Sequence, residues 1–99
     1  MGHGNSYEND KPHHLYAILD EEEKDVFKYG ISDNLIDERD SSDRMREQVN
    51  YLNRAVGWIR FFAVILIRNI QGRLKARELE DEHIADYQQE KGRRPRGNP

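Results

Sequence analysis

His14-Leu15-Tyr16-Ala17-Ile18-Leu19 and Val26-Phe27-Lys28-Tyr29-Gly30-Ile31-Ser32 are two short runs of apolar, aromatic and β-branched residues flanking the polar stretch Asp20-Glu21-Glu22-Glu23-Lys24-Asp25. Side chains of this kind suit a pleated, half-buried surface, and a charged turn between two such runs reverses the chain. The pattern predicts an antiparallel hairpin over Leu15–Leu19 and Val26–Ser32, with a turn too polar to be buried. Each strand carries a tyrosine, Tyr16 or Tyr29, into an apolar setting. Gly30 weakens a strand interior, so it marks either a bulge or the close approach of a ligand or another backbone.

Beyond the hairpin, residues 33–42 form a polar loop ending in Ser41-Ser42, either of which can cap a helix, with Asp43 favourable in the first turn. Met45, Val49, Leu52 and Val56 recur at helical spacing and form a core stripe, and Gly57 ends the helix. Trp58 to Ile67 is apolar without alternation, the pattern of a strand covered on both faces. Asn69 to Gly72 turns the chain, Arg73 to about Lys91 is a strong helix former, and residues 92–99 are irregular. The order strand, strand, helix, strand, helix predicts a small α+β domain: a mostly antiparallel three-stranded sheet flanked by helices. Residues 1–12 contain only Tyr7 as a sizeable apolar group and read as a flexible N-terminal arm, leaving 13–99 as a single domain.

Composition narrows the chemistry. A chain of 99 residues has room for one core and one site, burying roughly 60–68% of its unfolded surface. It has no cysteine, so a disulfide framework, a thiolate metal site and a cysteine nucleophile are all excluded. The apolar run Phe61–Ile67 is too short to span a bilayer. The net charge of −3 conceals two unlike halves: residues 1–50 carry 13 acidic and 6 basic side chains (−7), residues 51–99 carry 6 and 10 (+4). Nucleic-acid readers present basic surface because phosphate neutralisation releases counterions. Only the second half offers such a surface, which argues against indiscriminate binding to long DNA and for a short structured substrate or a protein partner.

On the last helix, at about 100° per residue, Ala76, Leu79, Ile84 and Tyr87 fall on one side and Glu80 lies within about 30° of their centre. A carboxylate in an apolar stripe needs a partner, either an ion pair with Arg44, Arg60 or Lys28, or a cation such as Mg²⁺, which keeps most of its own waters. Arg44, at the start of the first helix, is either a surface arginine or a fork for a phosphate near that helix N-terminus. His14 is either solvent-exposed or a phosphate contact. Glu80-x-x-His83 has the spacing of carboxylate-histidine metal sites but lacks a second ligand set. Lys91, Arg93, Arg94 and Arg96 are either a solvated tail or an electrostatic handle on nucleic acid.

Taken in order, Leu15-Tyr16-Ala17-Ile18, Lys28-Tyr29-Gly30-Ile31-Ser32, Asp43-Arg44 to Gln48-Val49 with Leu52-Asn53, Gly72-Arg73 to Ala76-Arg77 with Glu80, and Gly92, Pro95 and Gly97-Asn98 resemble the GIY-YIG nuclease superfamily. The chain is most similar to the divergent GIY-YIG-like domains at the C-termini of Rhs-type and other polymorphic bacterial toxins, and His3-Gly4-Asn5-Ser6 is similar to the run that often precedes them. The resemblance covers nearly the whole chain.

It implies a metal-dependent endonuclease that hydrolyses phosphodiester bonds in DNA or RNA with one Mg²⁺ or Mn²⁺. Tyr16, Tyr29, Arg44 and Glu80 would be the catalytic set, with Glu80 binding the metal, and His14, Lys28, Arg73 and Asn98 would bind substrate or support the site. The second signature departs from the family. Lys28 stands where its tyrosine is usual and Tyr29 takes the isoleucine place, so either Lys28 substitutes in phosphate contact or a bulge recruits Tyr29. The family's helix histidine is replaced, with Gln48 or Asn50 nearest. The resemblance further implies a monomer delivered as part of a larger secreted or injected toxin, acting in the target-cell cytoplasm without membrane association, and neutralised by a cognate immunity protein. The alternative is a non-catalytic protein- or nucleic-acid-binding module on the same fold, to which the negative charge and the altered signature lend support.

Overall fold

The computed structural model describes residues 9–99. The chain runs β1 (Pro12–Asp20), β2 (Asp25–Ser32), α1 (Asp43–Val56), β3 (Phe61–Gln71) and α2 (Gly72–Lys91), the expected α+β order. All pairings are antiparallel and the strands lie in the order β2-β1-β3, so β1 is central. Residues 1–8 of the expected arm, including His3-Gly4-Asn5-Ser6, lie outside the described residues. Asn9 is buried, and its carbonyl accepts a hydrogen bond from Arg73 N–H in the first turn of α2.

Side-chain alternation along β1 divides the core. Tyr16 and Ile18 face α1 and pack with Met45 and Phe61, with Val49 and Leu52 against them, while Leu15 faces α2 and packs with Ile70 and Ala76. Each fully buried Leu, Ile or Met contributes about 1.5–3 kcal/mol, so the central strand anchors both layers. The stripe on α1 is core as expected except at Val56, which is exposed at the helix end. Gly57 stops the helix by adopting φ +84°, with its N–H bonded to Asn53 O.

Four expectations are corrected. The third strand begins at Phe61, not Trp58, because Asn53 pins the preceding loop. Its Oδ1 accepts from Arg60 and Phe61 N–H, its Nδ2 donates to Phe61 O, and Trp58 and Ile59 are left exposed. That strand is an edge strand with Phe62 and Leu66 exposed, so it is not covered on both faces. No turn separates it from α2: β3 passes through Asn69 at φ +53°, pairs Gln71 with Pro12, and enters the helix directly at Gly72, φ +86°.

The turn after β1 does bury a charge. Asp20 is 1% exposed, and its carboxylate accepts both arms of Arg60 at 2.8 and 2.9 Å, a bond from Arg96 at 2.5 Å, and the turn amide of Glu22 at 3.0 Å. Arg60 above all holds this carboxyl far below the usual range, outweighing the cost of burial, with Arg96 adding to the effect. The C-terminal segment is irregular but docked. Pro95 is fully buried, Arg96 lies over the Phe27 ring, and Gly97 N–H bonds Phe27 O on the outer edge of β2.

Candidate active site

Between the β1–β2 hairpin and the first turns of both helices lies a polar cavity of about 540 Å³, whose lining includes Tyr16, Lys28, Arg44, Arg73, Arg77 and Glu80. Tyr16 reaches it because its neighbour across β2 is Gly30. A Cβ on Gly30 would sit 2.4 Å from Tyr16 Cζ, so the glycine makes room for a phenol ring, neither for a ligand nor for a bulge. The Tyr16 hydroxyl donates to Gln48 Oε1 at 2.5 Å, and the positive charge of Arg44 lies close enough to favour its ionised form. Of Gln48 and Asn50, it is Gln48 that stands against the phenol.

Arg44 is placed by the start of α1, whose first turn is capped from the loop: Asn34 Oδ1 accepts Arg44 N–H at 2.9 Å. Ser42 occupies the N-cap position but makes no side-chain cap, because its hydroxyl bonds the ring of His14. Lys28 projects from β2 on the same side as Tyr16, and Arg73, Arg77 and Glu80 come from successive turns of α2.

The cavity gathers three of the cations that hold no carboxylate, while Lys11, Arg39, Arg54, Lys91 and Arg94, also without one among the described residues, lie outside its lining. Arg46, Arg60, Arg68, Arg93 and Arg96 each hold a carboxylate within 3.1 Å. Among the described residues Lys28, Arg44 and Arg73 hold none. Two of the acids lining the cavity are engaged elsewhere, Asp33 with Asn9 and Asp43 with Arg46. Among the described residues Glu80 forms an ion pair only with Arg77, at 3.7 Å, and desolvation pushes its carboxyl above the ordinary range while Arg77 and, more weakly, Lys28 and Arg73 oppose the shift. Burial lowers Lys28 and raises Tyr16, the latter against the pull of Arg44, so at neutral pH the phenol keeps its proton.

A family model described as URI fold toxin 2 matches residues 6–92, nearly the whole chain. The chain belongs to this toxin family. No curated protein and no solved structure matches it. Among the described residues of the toxin domain, no helix is long and apolar enough to cross a membrane.

The toxin domain does not bring every expected residue to the cavity. Tyr29 is on the opposite face, packed in the core under α2 with its ring 5.5 Å from that of His83 and 6.5 Å from that of Tyr87. The irregularity in β1–β2 pairing falls between Ile18 and Leu19 and leaves Tyr29 pointing away, so Lys28 holds the place at the cavity. His14 is neither exposed nor in the cavity: it is buried against Ser42 Oγ at 3.0 Å, and burial lowers its pKa. Its neighbour His13 lines the cavity instead, next to the irregular pairing of β1 with β3 between His13 and Tyr16. Asn98 also lies outside, yet its side chain accepts Tyr29 N–H at 2.7 Å and donates to Tyr29 O at 3.0 Å, completing the free edge of β2 beside Lys28. Arg60, once a candidate partner for Glu80, belongs to Asp20, and Arg93 and Arg96 are held by Asp25 and Asp20 instead of forming a free basic handle.

Among the described residues no group of three His, Cys, Asp or Glu side chains could cage a metal. A caged ion such as structural zinc therefore does not fit. Mg²⁺ or Mn²⁺, held by one carboxylate and otherwise by water and substrate oxygens, does fit the half-buried, weakly compensated Glu80.

Proposed function

We propose that the toxin domain is a metal-dependent nuclease that hydrolyses phosphodiester bonds in nucleic acid at the cavity of Tyr16, Lys28, Arg44, Arg73 and Glu80. The observation that carries this reading is the convergence, from two strands and two helices, of three cations free of carboxylates around a phenol and a desolvated acid. A half-buried acid that Lys28 and Arg73 offset only at a distance, without a direct ion pair, is the arrangement expected where a metal and a phosphate share a site.

In this reading Arg44 donates its fork to the non-bridging phosphoryl oxygens, while Lys28 and Arg73 balance the remaining negative charge. The Tyr16 hydroxyl, whose proton is already given to Gln48 Oε1, presents an oxygen lone pair that accepts a hydrogen bond from the attacking water and orients it. With its pKa raised, the phenol positions the water and does not deprotonate it. Glu80 would hold Mg²⁺ or Mn²⁺, which when bound makes water a stronger acid and neutralises charge developing on the phosphate. Asn98 keeps the Lys28–Gly30 segment of β2 straight by satisfying Tyr29 on its open edge.

As a toxin, the domain would be delivered to the target-cell cytoplasm by a larger protein and held inactive in its producer by an immunity protein covering the cavity. The decisive assay incubates purified protein with plasmid, total RNA and tRNA, with and without Mg²⁺. Cleavage that needs the metal and is lost in Glu80→Ala supports the reading; no cleavage, or cleavage that Glu80→Ala leaves intact, refutes it. Expression in the cytoplasm adds a second readout. Toxicity relieved by Glu80→Ala separates a nuclease from a binding module, whose effect would survive that change.

A further inference from the structure

Beside the polar cavity, on the α1 side of the hairpin, is a second recess of about 420 Å³ with a different character. Its walls include Ile18, Phe27, Leu52 and Tyr51, and Lys28 and Glu47 line both it and the cavity, so the two adjoin along these side chains. A ligand whose charged part sits by Lys28 can therefore place an apolar, planar part in the recess without leaving the surface. Tyr51 is 71% exposed, which leaves most of its ring free to stack.

The margin of the recess also carries an acid. Glu47 is exposed and, among the described residues, forms no ion pair with any cation of the cavity. A carboxylate beside a phosphate site weakens phosphate binding by repulsion, but it accepts hydrogen bonds from the amino and imino groups on base edges. The surrounding charge points the same way. A duplex reader tracks two backbones with a broad basic face, whereas here Lys28, Arg44 and Arg73, each free of a carboxylate, converge on one cavity and Arg60, Arg93 and Arg96 are consumed internally. That footprint suits one or two phosphates of a single strand.

We propose that the recess captures the base of an unpaired nucleotide adjoining the scissile phosphate, stacked on Tyr51 with its edge toward Glu47. The substrate is then a single strand or a single-stranded loop. This rests on the nuclease reading and specifies its substrate class. A paired base within a duplex is stacked on both faces and cannot stack on Tyr51 in this recess without being flipped out.

The test is direct binding by the full Glu80→Gln chain in chelator, so that nothing is cut. Oligonucleotides carrying one 2-aminopurine are compared as single-stranded RNA, single-stranded DNA and duplex, following fluorescence quenching and anisotropy. Single strands should bind more tightly than duplex and show quenching, and the ribose and deoxyribose arms identify the sugar. Tyr51→Ala should weaken single-strand binding by about 5- to 100-fold and abolish the quenching, as expected for loss of one base stack, while Tyr51→Phe should retain both. Lys28→Ala should weaken binding and leave the quenching of the bound state. Equal affinity for duplex, no binding, or a Tyr51→Ala chain that binds like its parent overturns the proposal. Cleavage by the wild-type chain is scored separately: cleavage without base capture refutes the recess alone, and capture without cleavage refutes the nuclease reading alone.

Discussion

The Tyr16 ring fills the space above Gly30, with Cζ and the hydroxyl 2.4 and 2.5 Å from where a glycine Cβ would stand. Two adjacent strands can put a large aromatic beside the chain only where the partner lacks a side chain, and that vacancy directs the phenol toward Gln48 and Arg44. A feature that looks like a weakness of β2 is the condition for placing the hydroxyl.

Gly30→Ala should therefore act on Tyr16 first. The ring is backed by the core of Ile18, Met45 and Phe61 and cannot retreat without repacking, so the substitution should cost about 1–3 kcal/mol and release the hydroxyl from Gln48. Thermal melts and cleavage assays should fall together, and in a Tyr16→Ala background, itself destabilised by about 3–5 kcal/mol, adding Gly30→Ala should cost little further stability. A Gly30→Ala chain with normal melting and activity would contradict the packing described above.

Asp20→Asn tests the buried ion cluster. Removing the charge leaves Arg60 and Arg96 without their shared partner, a change that costs about 3–5 kcal/mol when a buried pair is broken. The folded carboxyl titrates far below its ordinary value, near 3.8, so its contribution is complete above that value and is lost as pH falls below it. Denaturant midpoints should show a deficit for Asp20→Asn at pH 7 that shrinks below about pH 4. A deficit independent of pH would mean that the carboxylate's charge is not what stabilises the turn.

The hairpin, both helices and the inward position of Glu80 were legible because each rests on local periodicity: two residues in a strand, about 3.6 in a helix. Alternation from Tyr16 also separates Lys28 from Tyr29, but only once the pairing register is known, because a slip of one residue would exchange them. The burial of Asp20 was not legible, since its partners Arg60 and Arg96 lie 40 and 76 residues away and nothing nearby signals them. Nor was the cap on α1. Ser42 has the right chemistry at the right place, yet His14 takes its hydroxyl and Asn34 replaces it from the loop. The composition of residues 92–99 shows no strand, although Gly97 and Asn98 complete the edge of β2.

Asn98→Ala should expose this edge. Both polar groups of Tyr29 lose their partners, which costs about 1–3 kcal/mol, and the neighbouring Lys28 loses its fixed place at the cavity. If Asn98 works by positioning, Asn98→Ala and Lys28→Ala should be less than additive in activity while Asn98→Ala alone lowers stability. Full additivity, measured by the four-member cycle of cleavage rates, would give Asn98 a role separate from Lys28.

Glu80→Gln should divide function from stability. The carboxyl's folded pKa lies above its ordinary value because desolvation disfavours the charge, so the folded state binds this proton more tightly than the unfolded chain does. Stability associated with Glu80 is then present at low pH and is lost as pH rises through the raised value, the reverse of Asp20. At pH 7 the glutamine variant, which need not carry that charge, should melt at the same temperature as the wild type or higher. Its metal-dependent cleavage should nevertheless fall by at least about 100-fold, since even residues that only orient a metal ligand cost about 10- to 100-fold when removed. Wild-type activity should rise with pH as Glu80 ionises, and the Glu80→Gln profile should lose that rise. A variant that is both less stable and inactive would instead mark Glu80 as a structural acid, held by Arg77 for the sake of the fold.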